Sequence, residues 1–139
     1  MKVIGIEISG RDVRIIALDN STGEIVNCTE KYKPIKLEDD EVAENVLLFK
    51  NTLFATLESF SPDVIVFNYR NPNASGKYAP SAISFKIEGL IQLYENAEIY
   101  STKSQTLAAF YKKNKLDIST DYNYQLNALK LAYHYIKTN

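Results

Sequence analysis

Two apolar runs stand close together at the start of the chain. Val3-Ile4-Gly5-Ile6 and Ile8 form the first, interrupted by Glu7, and Val13, Ile15, Ile16 and Leu18 form the second, with Ser9-Gly10-Arg11 between them. Apolar stretches joined by a short glycine-containing connection read as a β-hairpin. Asn20-Ser21-Thr22-Gly23 supplies another turn, after which Glu24 to Tyr32 returns as a third antiparallel strand until Pro34 interrupts it. The spacing then becomes helical. Val42, Val46, Phe49, Leu53, Leu57 and Phe60 mark one buried helix face, Asp39 or Asp40 is placed to cap the free amides, and Ser61-Pro62-Asp63 ends the helix. Val64-Ile65-Val66-Phe67 follows as a short apolar strand of the kind covered on both faces.

A polar loop from Asn68 to Ala79 leads to Pro80, which suits the first turn of a helix whose buried stripe is Ile83, Ile87, Leu90, Ile91 and Tyr94. Glu98 to Tyr100 reads as a brief strand. Thr102-Lys103-Ser104-Gln105 matches a capping box and opens a helix through Leu107 and Phe110 toward Tyr111. A last helix is expected from about Asp121, with Leu126, Leu129, Tyr133 and Ile136 facing inward. The order β-β-β-α-β-α-β-α-α contains two helical crossovers, so the later strands lie parallel to the first. The expected architecture is α/β: a mixed five-stranded sheet, three antiparallel strands then two parallel, with helices on both faces.

Composition narrows the picture. A chain of 139 residues with 45% hydrophobic content fits one domain, residues 1–139, with a core that needs no disulfide staples. The single cysteine, Cys28, has no partner within the chain and reads as a packed, inert thiol. The chain shows neither a signal-peptide pattern nor an apolar stretch long enough to cross a bilayer, which points to a cytoplasmic protein without a membrane partner. On that reading the Asn-x-Ser/Thr triplets at Asn20, Asn27 and Asn73 are chance matches. A net charge of −1 gives no overall attraction to nucleic acid. The distribution is uneven, however: acids gather from Glu38 to Glu44, while Arg70, Lys77, Lys86, Lys103, Lys112, Lys113 and Lys115 dominate the centre.

The element order, together with Val3-Ile4-Gly5-Ile6-Glu7, Val64-Ile65-Val66-Phe67-Asn68 followed by Asn71-Pro72-Asn73-Ala74-Ser75, and Asn127-Ala128-Leu129-Lys130-Leu131-Ala132, resembles the RuvC branch of the RNase H-like superfamily, the Holliday-junction resolvases. The resemblance covers nearly the whole chain and rests on the order and spacing of these segments. It implies an acid on the first strand, another at the end of the fourth, and two more three positions apart on the last helix, together holding Mg²⁺ for phosphodiester hydrolysis. Those positions fall on Glu7, Asn68, Tyr124 and Asn127, of which only Glu7 is acidic. Paired divalent ions need several carboxylates to offset their charge and dehydration, and an amide oxygen is a neutral ligand. The chain therefore reads as an offshoot with an impaired metal site, binding nucleic acid or a protein, with no cofactor.

Two alternatives are kept. In the first, Asp121 shifts toward Glu7 and the pair serves as catalytic residues of a Mg²⁺- or Mn²⁺-dependent nuclease for branched DNA, with Glu7 as the metal ligand; the simpler reading makes Asp121 a helix cap and Asp117 loop surface. In the second, the resemblance and the tyrosine-rich helices imply a homodimeric structural or regulatory protein. Glu7 itself can instead be held by a neighbouring lysine or by backbone donors. Arg70, Lys77, Lys86 and Lys103 are the candidate contacts to branched or single-stranded nucleic acid, with the loop from Tyr69 to Tyr78 offering cations and aromatic rings beside the expected crevice. His134 has no Cys or acid at a metal-ligand interval and reads as a surface or core-edge residue, and neither a nucleophile triad nor a P-loop is present.

Overall fold

The computed structural model describes residues 1–29 and 32–139, with only the backbone described at Tyr78. The strands are β1 (Lys2–Ser9), β2 (Asp12–Asp19), β3 (Val26–Asn27), β4 (Ile35–Lys36), β5 (Val64–Asn68) and β6 (Glu98–Thr102), and the helices are α1 (Ala43–Phe60), α2 (Ala82–Ile91), α3 (Ser104–Lys113) and α4 (Leu126–Thr138). Short 3₁₀ turns occupy Gly76–Tyr78 and Asn123–Gln125. One mixed sheet runs in the order β3-β2-β1-β5-β6, with β4 also pairing β2. The β1–β2 hairpin turns through Gly10 and Arg11, since Ser9 pairs Asp12. Gly10 adopts φ +60°, which an L side chain resists, and glycine at the first turn position suits a type II′ connection. Beyond the hairpin, α1 carries the chain to β5 parallel to β1, and α2 carries it to β6 parallel to β5.

Side-chain alternation gives the sheet two cores. Ile4, Ile6, Ile8, Val13, Ile15, Ala17, Ile65 and Phe67 meet Phe49, Leu53 and Leu57 of α1 and Ile87 and Ile91 of α2. Val3, Ile16, Leu18, Val64 and Val66 face the other way, against Ala128, Leu129, Ala132 and Tyr133 of α4, with Leu107 and Phe110 of α3 at the margin. A strand covered on both sides needs apolar residues at consecutive positions, which accounts for the unbroken runs. The closest approach is at Gly5, where a Cβ would stand 1.9 Å from the Ala128 carbonyl oxygen. The absent side chain lets α4 lie directly on β1.

Several expected boundaries move. The sheet has six strands rather than the expected five. Among the described residues the expected third strand, Glu24 to Tyr32, is reduced to the two residues of β3, which pair Leu18 and Asp19, while an unexpected short strand, β4, follows Pro34 and pairs Asp12 and Val13 on the same edge of β2. Between them the Cys28 N–H donates to the Ala17 carbonyl (2.9 Å), while the Ala17 N–H donates to Thr29 Oγ1 (2.7 Å), so a side chain takes the place of a ladder carbonyl. Glu30 and Lys31 of that expected strand lie outside the described residues. Helix α1 starts after Val42 without a side-chain cap; Asp39 closes a local turn on the Glu41 N–H, and Asp40 pairs with cations instead. Pro80 precedes Ser81, and Ser81 Oγ caps α2 by accepting from the Ser84 N–H. The capping box is not formed: Thr102 belongs to β6, and Lys103 holds the cap position without a side-chain bond. Helix α4 begins at Leu126, five residues after the expected start at Asp121, because Asn123–Gln125 winds as a 3₁₀ turn.

Candidate functional site

Strand periodicity decides which polar groups meet. Val3, Gly5 and Glu7 alternate along one face of β1, and Val64, Val66 and Asn68 along the same face of β5, so Glu7 and Asn68 fall where the strands leave the apolar core. The hairpin register sets Arg14 of β2 directly opposite Glu7. Arg14 Nη1 lies 3.1 Å from Glu7 Oε1, and the two side chains are only 27% and 14% exposed. Asn127, at the start of α4, donates from Nδ2 to Glu7 Oε2 at 2.6 Å. The proximity of α4 at Gly5 is what brings Asn127 within reach. Both carboxylate oxygens are therefore engaged from inside the protein, one by a cation and one by an amide.

Asn68 completes the end of the sheet. Its Oδ1 accepts from the Ile8 N–H at 3.1 Å, and its own carbonyl accepts from Arg70 Nη1 at 3.1 Å. Arg70 Nη2 donates to the Ile8 carbonyl. The guanidinium thus staples the ends of β1 and β5 through two neutral oxygens. Arg70 is 9% exposed, its Nε–H is buried without a partner, and burial holds its pKa below the usual arginine value against the pull of Glu88 and Glu7. Burial likewise raises the Glu88 carboxyl, with Arg70 opposing the shift.

The structure brings Glu7, Asn68, Arg70 and Asn127 to one end of the sheet, sets Lys103 beside Asn68 and Arg70 in the adjoining cleft, and directs Tyr124, Asp121 and Lys86 elsewhere. Tyr124 donates its hydroxyl to the Tyr32 carbonyl at 2.8 Å and stacks on Tyr122, so its polar atom serves the connection beyond β3. Asp121 and Asp117 are exposed in the segment between α3 and α4, and among the described residues the partners of Glu7 are Arg14 and Asn127. Lys86 is a tie rather than an open cation: Nζ donates to the Asp40 carbonyl (2.8 Å) and lies 3.3 Å from its Oδ2. Asp40 also meets Arg11 at 3.1 Å, and although burial raises its pKa, bonds from Lys86, its own backbone and Arg11 bring it below the ordinary value. Lys77 is exposed in the 3₁₀ turn at Gly76–Tyr78, and Lys103 sits over the Tyr69 ring, 5.4 Å from its centre. Cys28 donates its thiol to the Ala17 carbonyl, and burial raises its pKa, as befits an unreactive group.

Arg14 and the buried character of Arg70 are missing from the sequence reading. The first had a signal, because a two-residue turn at Gly10 and Arg11 dictates that 7 faces 14. The second had none, since Arg70 stands in a loop rich in Asn, Pro, Ser and Gly, a composition that signals exposure.

Among the described residues, no group of three or more His, Cys, Asp or Glu side chains is placed to hold a metal ion. No helix of the described residues is long and apolar enough to cross a membrane. The family model described as "Protein of unknown function (DUF3010)" matches residues 1–135. The chain belongs to the DUF3010 family. No curated protein matches this DUF3010 member in sequence. Among solved structures it is similar to Thermus thermophilus RuvC, with 12% identity, a TM-score of 0.67, and coverage of 99% of this chain and 96% of the other. T. thermophilus RuvC in complex with Holliday junction substrate gives 12% identity and a TM-score of 0.69, covering 100% of this chain and 97% of the other. Fowlpox virus resolvase with substrate Holliday junction DNA gives 13%, 0.59, 99% and 98%. At these identities the likeness shows the fold, which is RNase H-like and of the RuvC type, the expected class.

Proposed function

We propose that this DUF3010 protein is a nucleic-acid-binding domain in which an internal charge pair stands where a resolvase-like centre would need cations. The observation that carries the reading is the double engagement of Glu7, by Arg14 at 3.1 Å and Asn127 at 2.6 Å. A divalent ion at Glu7 would have to displace a guanidinium from a mostly buried pair, and the flanking donors at 68 and 127 are amides already committed to other bonds. Paired Mg²⁺ ions need anionic ligands to offset their charge, and this set supplies one carboxylate already neutralised. The residues do not fit such a centre, so no hydrolytic step is assigned to it.

Nucleic acid as the partner is supported by two features. The solved structures of similar fold include two bound to Holliday junction DNA. The cleft beside Asn68 is lined by Arg70 and Lys103 and by no carboxylate. The test is fluorescence anisotropy with a four-way junction, a single strand and a linear duplex across 50 to 200 mM salt (roughly the range over which phosphate contacts lose affinity), beside a cleavage assay with Mg²⁺ or Mn²⁺. Binding that weakens as salt rises, without metal-dependent cleavage, is expected. Metal-dependent scission that disappears in Glu7→Gln would overturn the reading, as would failure to bind any of the three DNAs at low salt.

A further inference from the structure

We propose that the cleft between the loop after β5 and the start of α3 is a phosphate-group site, with Arg70, Lys103 and the first-turn amides of α3 as donors. The proposal deepens the nucleic-acid reading, on which it rests for the source of the phosphate. The cleft has a volume of about 500 Å³ and lies at the carboxyl ends of the parallel strands β5 and β6, the end of an open α/β sheet where ligands collect. Its wall is made by Asn68, Arg70, Asn71, Lys103, Ser104 and Gln105 among others, and none of its lining residues is acidic.

Three groups point to an anion. Arg70 lines the cleft, is about nine-tenths buried, forms no ion pair among the described residues, and has a buried Nε–H without a partner. Its two existing bonds go to neutral carbonyls of Ile8 and Asn68. A guanidinium does not shed its proton under ordinary conditions, so an anion in the cleft would lower the cost of burying it beyond what the two carbonyls and the pull of Glu88 and Glu7 already offset. Helix α3 supplies the second contribution. Its cap residue, Lys103, makes no side-chain bond to the first turn, and Leu107 is the first to donate back, to the Lys103 carbonyl at 3.2 Å. The preceding amides, those of Ser104, Gln105 and Thr106, are the donors that a helix start leaves for a ligand, and the helix dipole favours an anion there. Lys103 is the third. Its ammonium rests over the ring of Tyr69, and both residues line the cleft, to which Lys103 adds positive charge.

The inference can be separated from the reading beneath it by ¹⁵N NMR of the full chain, following the Arg70 Nε–H and the amides of Ser104 and Gln105. One arm adds inorganic phosphate against chloride at matched ionic strength; the other adds a single-stranded oligonucleotide without terminal phosphates, whose only anions are phosphodiesters. Saturable shifts of these three signals in both arms are expected. Lys103→Glu removes an exposed cation, and Ser104→Pro deletes one donor at a position where proline fits a helix start; each should weaken phosphate binding by roughly tenfold. If phosphate shifts these signals and the oligonucleotide binds nowhere, the site stands and the nucleic-acid reading fails. If the oligonucleotide binds while these signals stay still, the reading stands and the site is overturned. Shifts that chloride reproduces, or that both variants leave unchanged, overturn it as well.

Discussion

Gly5 and Glu7 are neighbours on one face of β1, and α4 meets them in opposite ways. At Gly5 the helix backbone presses onto the strand, so the contact works only because a side chain is missing. At Glu7 the same helix stands back far enough for Asn127 to reach a carboxylate that Arg14 also holds. The first contact is steric and sets the depth of α4; the second is electrostatic and depends on that depth. Packing of the core therefore positions the polar end of the sheet, and a change at residue 5 propagates to residue 7, whereas a change at residue 7 leaves the core in place.

The largest expected effect breaks the steric half. Gly5→Ala places a methyl 1.9 Å from a backbone oxygen that has no rotamer to escape with. It should cost about 3 kcal/mol or more, the upper range for overpacking, and Gly5→Val should prevent stable folding. Denaturant unfolding measures this, and a loss below about 1 kcal/mol in Gly5→Ala would mean that α4 is free to lift and the proposed dependence is wrong.

A smaller effect isolates the electrostatic half. Arg14→Ala leaves a mostly buried carboxylate with one amide partner and should cost about 1–2 kcal/mol, in the range for stranding a buried acceptor. Glu7→Gln retains an oxygen acceptor and should cost less; adding it to Arg14→Ala should recover part of the loss. Equilibrium unfolding of the two single variants and the double variant gives the coupling directly. Strict additivity would show that the pair contributes nothing beyond its separate members.

The smallest effect lies farther along α4, where another polar atom is enclosed. His134 packs edge-on to Phe110 with ring centres 4.9 Å apart, its Nδ1 is buried without a partner, and burial lowers its pKa. Because the folded form resists protonation, its contribution is complete above the unfolded value of about 6.5 and is lost as acidity rises through and below it, the unfolded chain taking up the proton first. Between about pH 7 and 5 the stability of His134→Gln should fall less steeply than that of the wild type, by under one proton. Parallel slopes in thermal melts across that range would contradict the assignment.

The same contrast explains what could be read from the residues alone. Helices α1 and α2 and strands β1, β2 and β5 are legible because buried side chains repeat at 3.6 or at consecutive positions, and burial is a property that composition carries. The early end of β3 is not, because it depends on Thr29 substituting its hydroxyl for a carbonyl, a choice made by one hydrogen bond. The start of α4 is missed for a similar reason: Asp121 suits a cap, yet the chain winds a 3₁₀ turn at Asn123–Gln125 before the helix begins. At the site, Glu7 stands out as an acid in an apolar run, and Arg14 follows from counting back around the hairpin. Arg70 and Lys86 look equally exposed in the sequence; tertiary contacts bury the first against two carbonyls and bind the second to Asp40.

The strand order also makes the margins of the sheet unequal. On one margin β2 is flanked by two-residue segments too short to template a long ladder, whereas β6 ends the other as five consecutive residues with Tyr100 and Ser101 open to solvent. Main-chain donors and acceptors along such a border seek a complementary strand. Any growth of this sheet, by self-association in a crowded preparation or by an extended peptide, is thereby polarised toward β6.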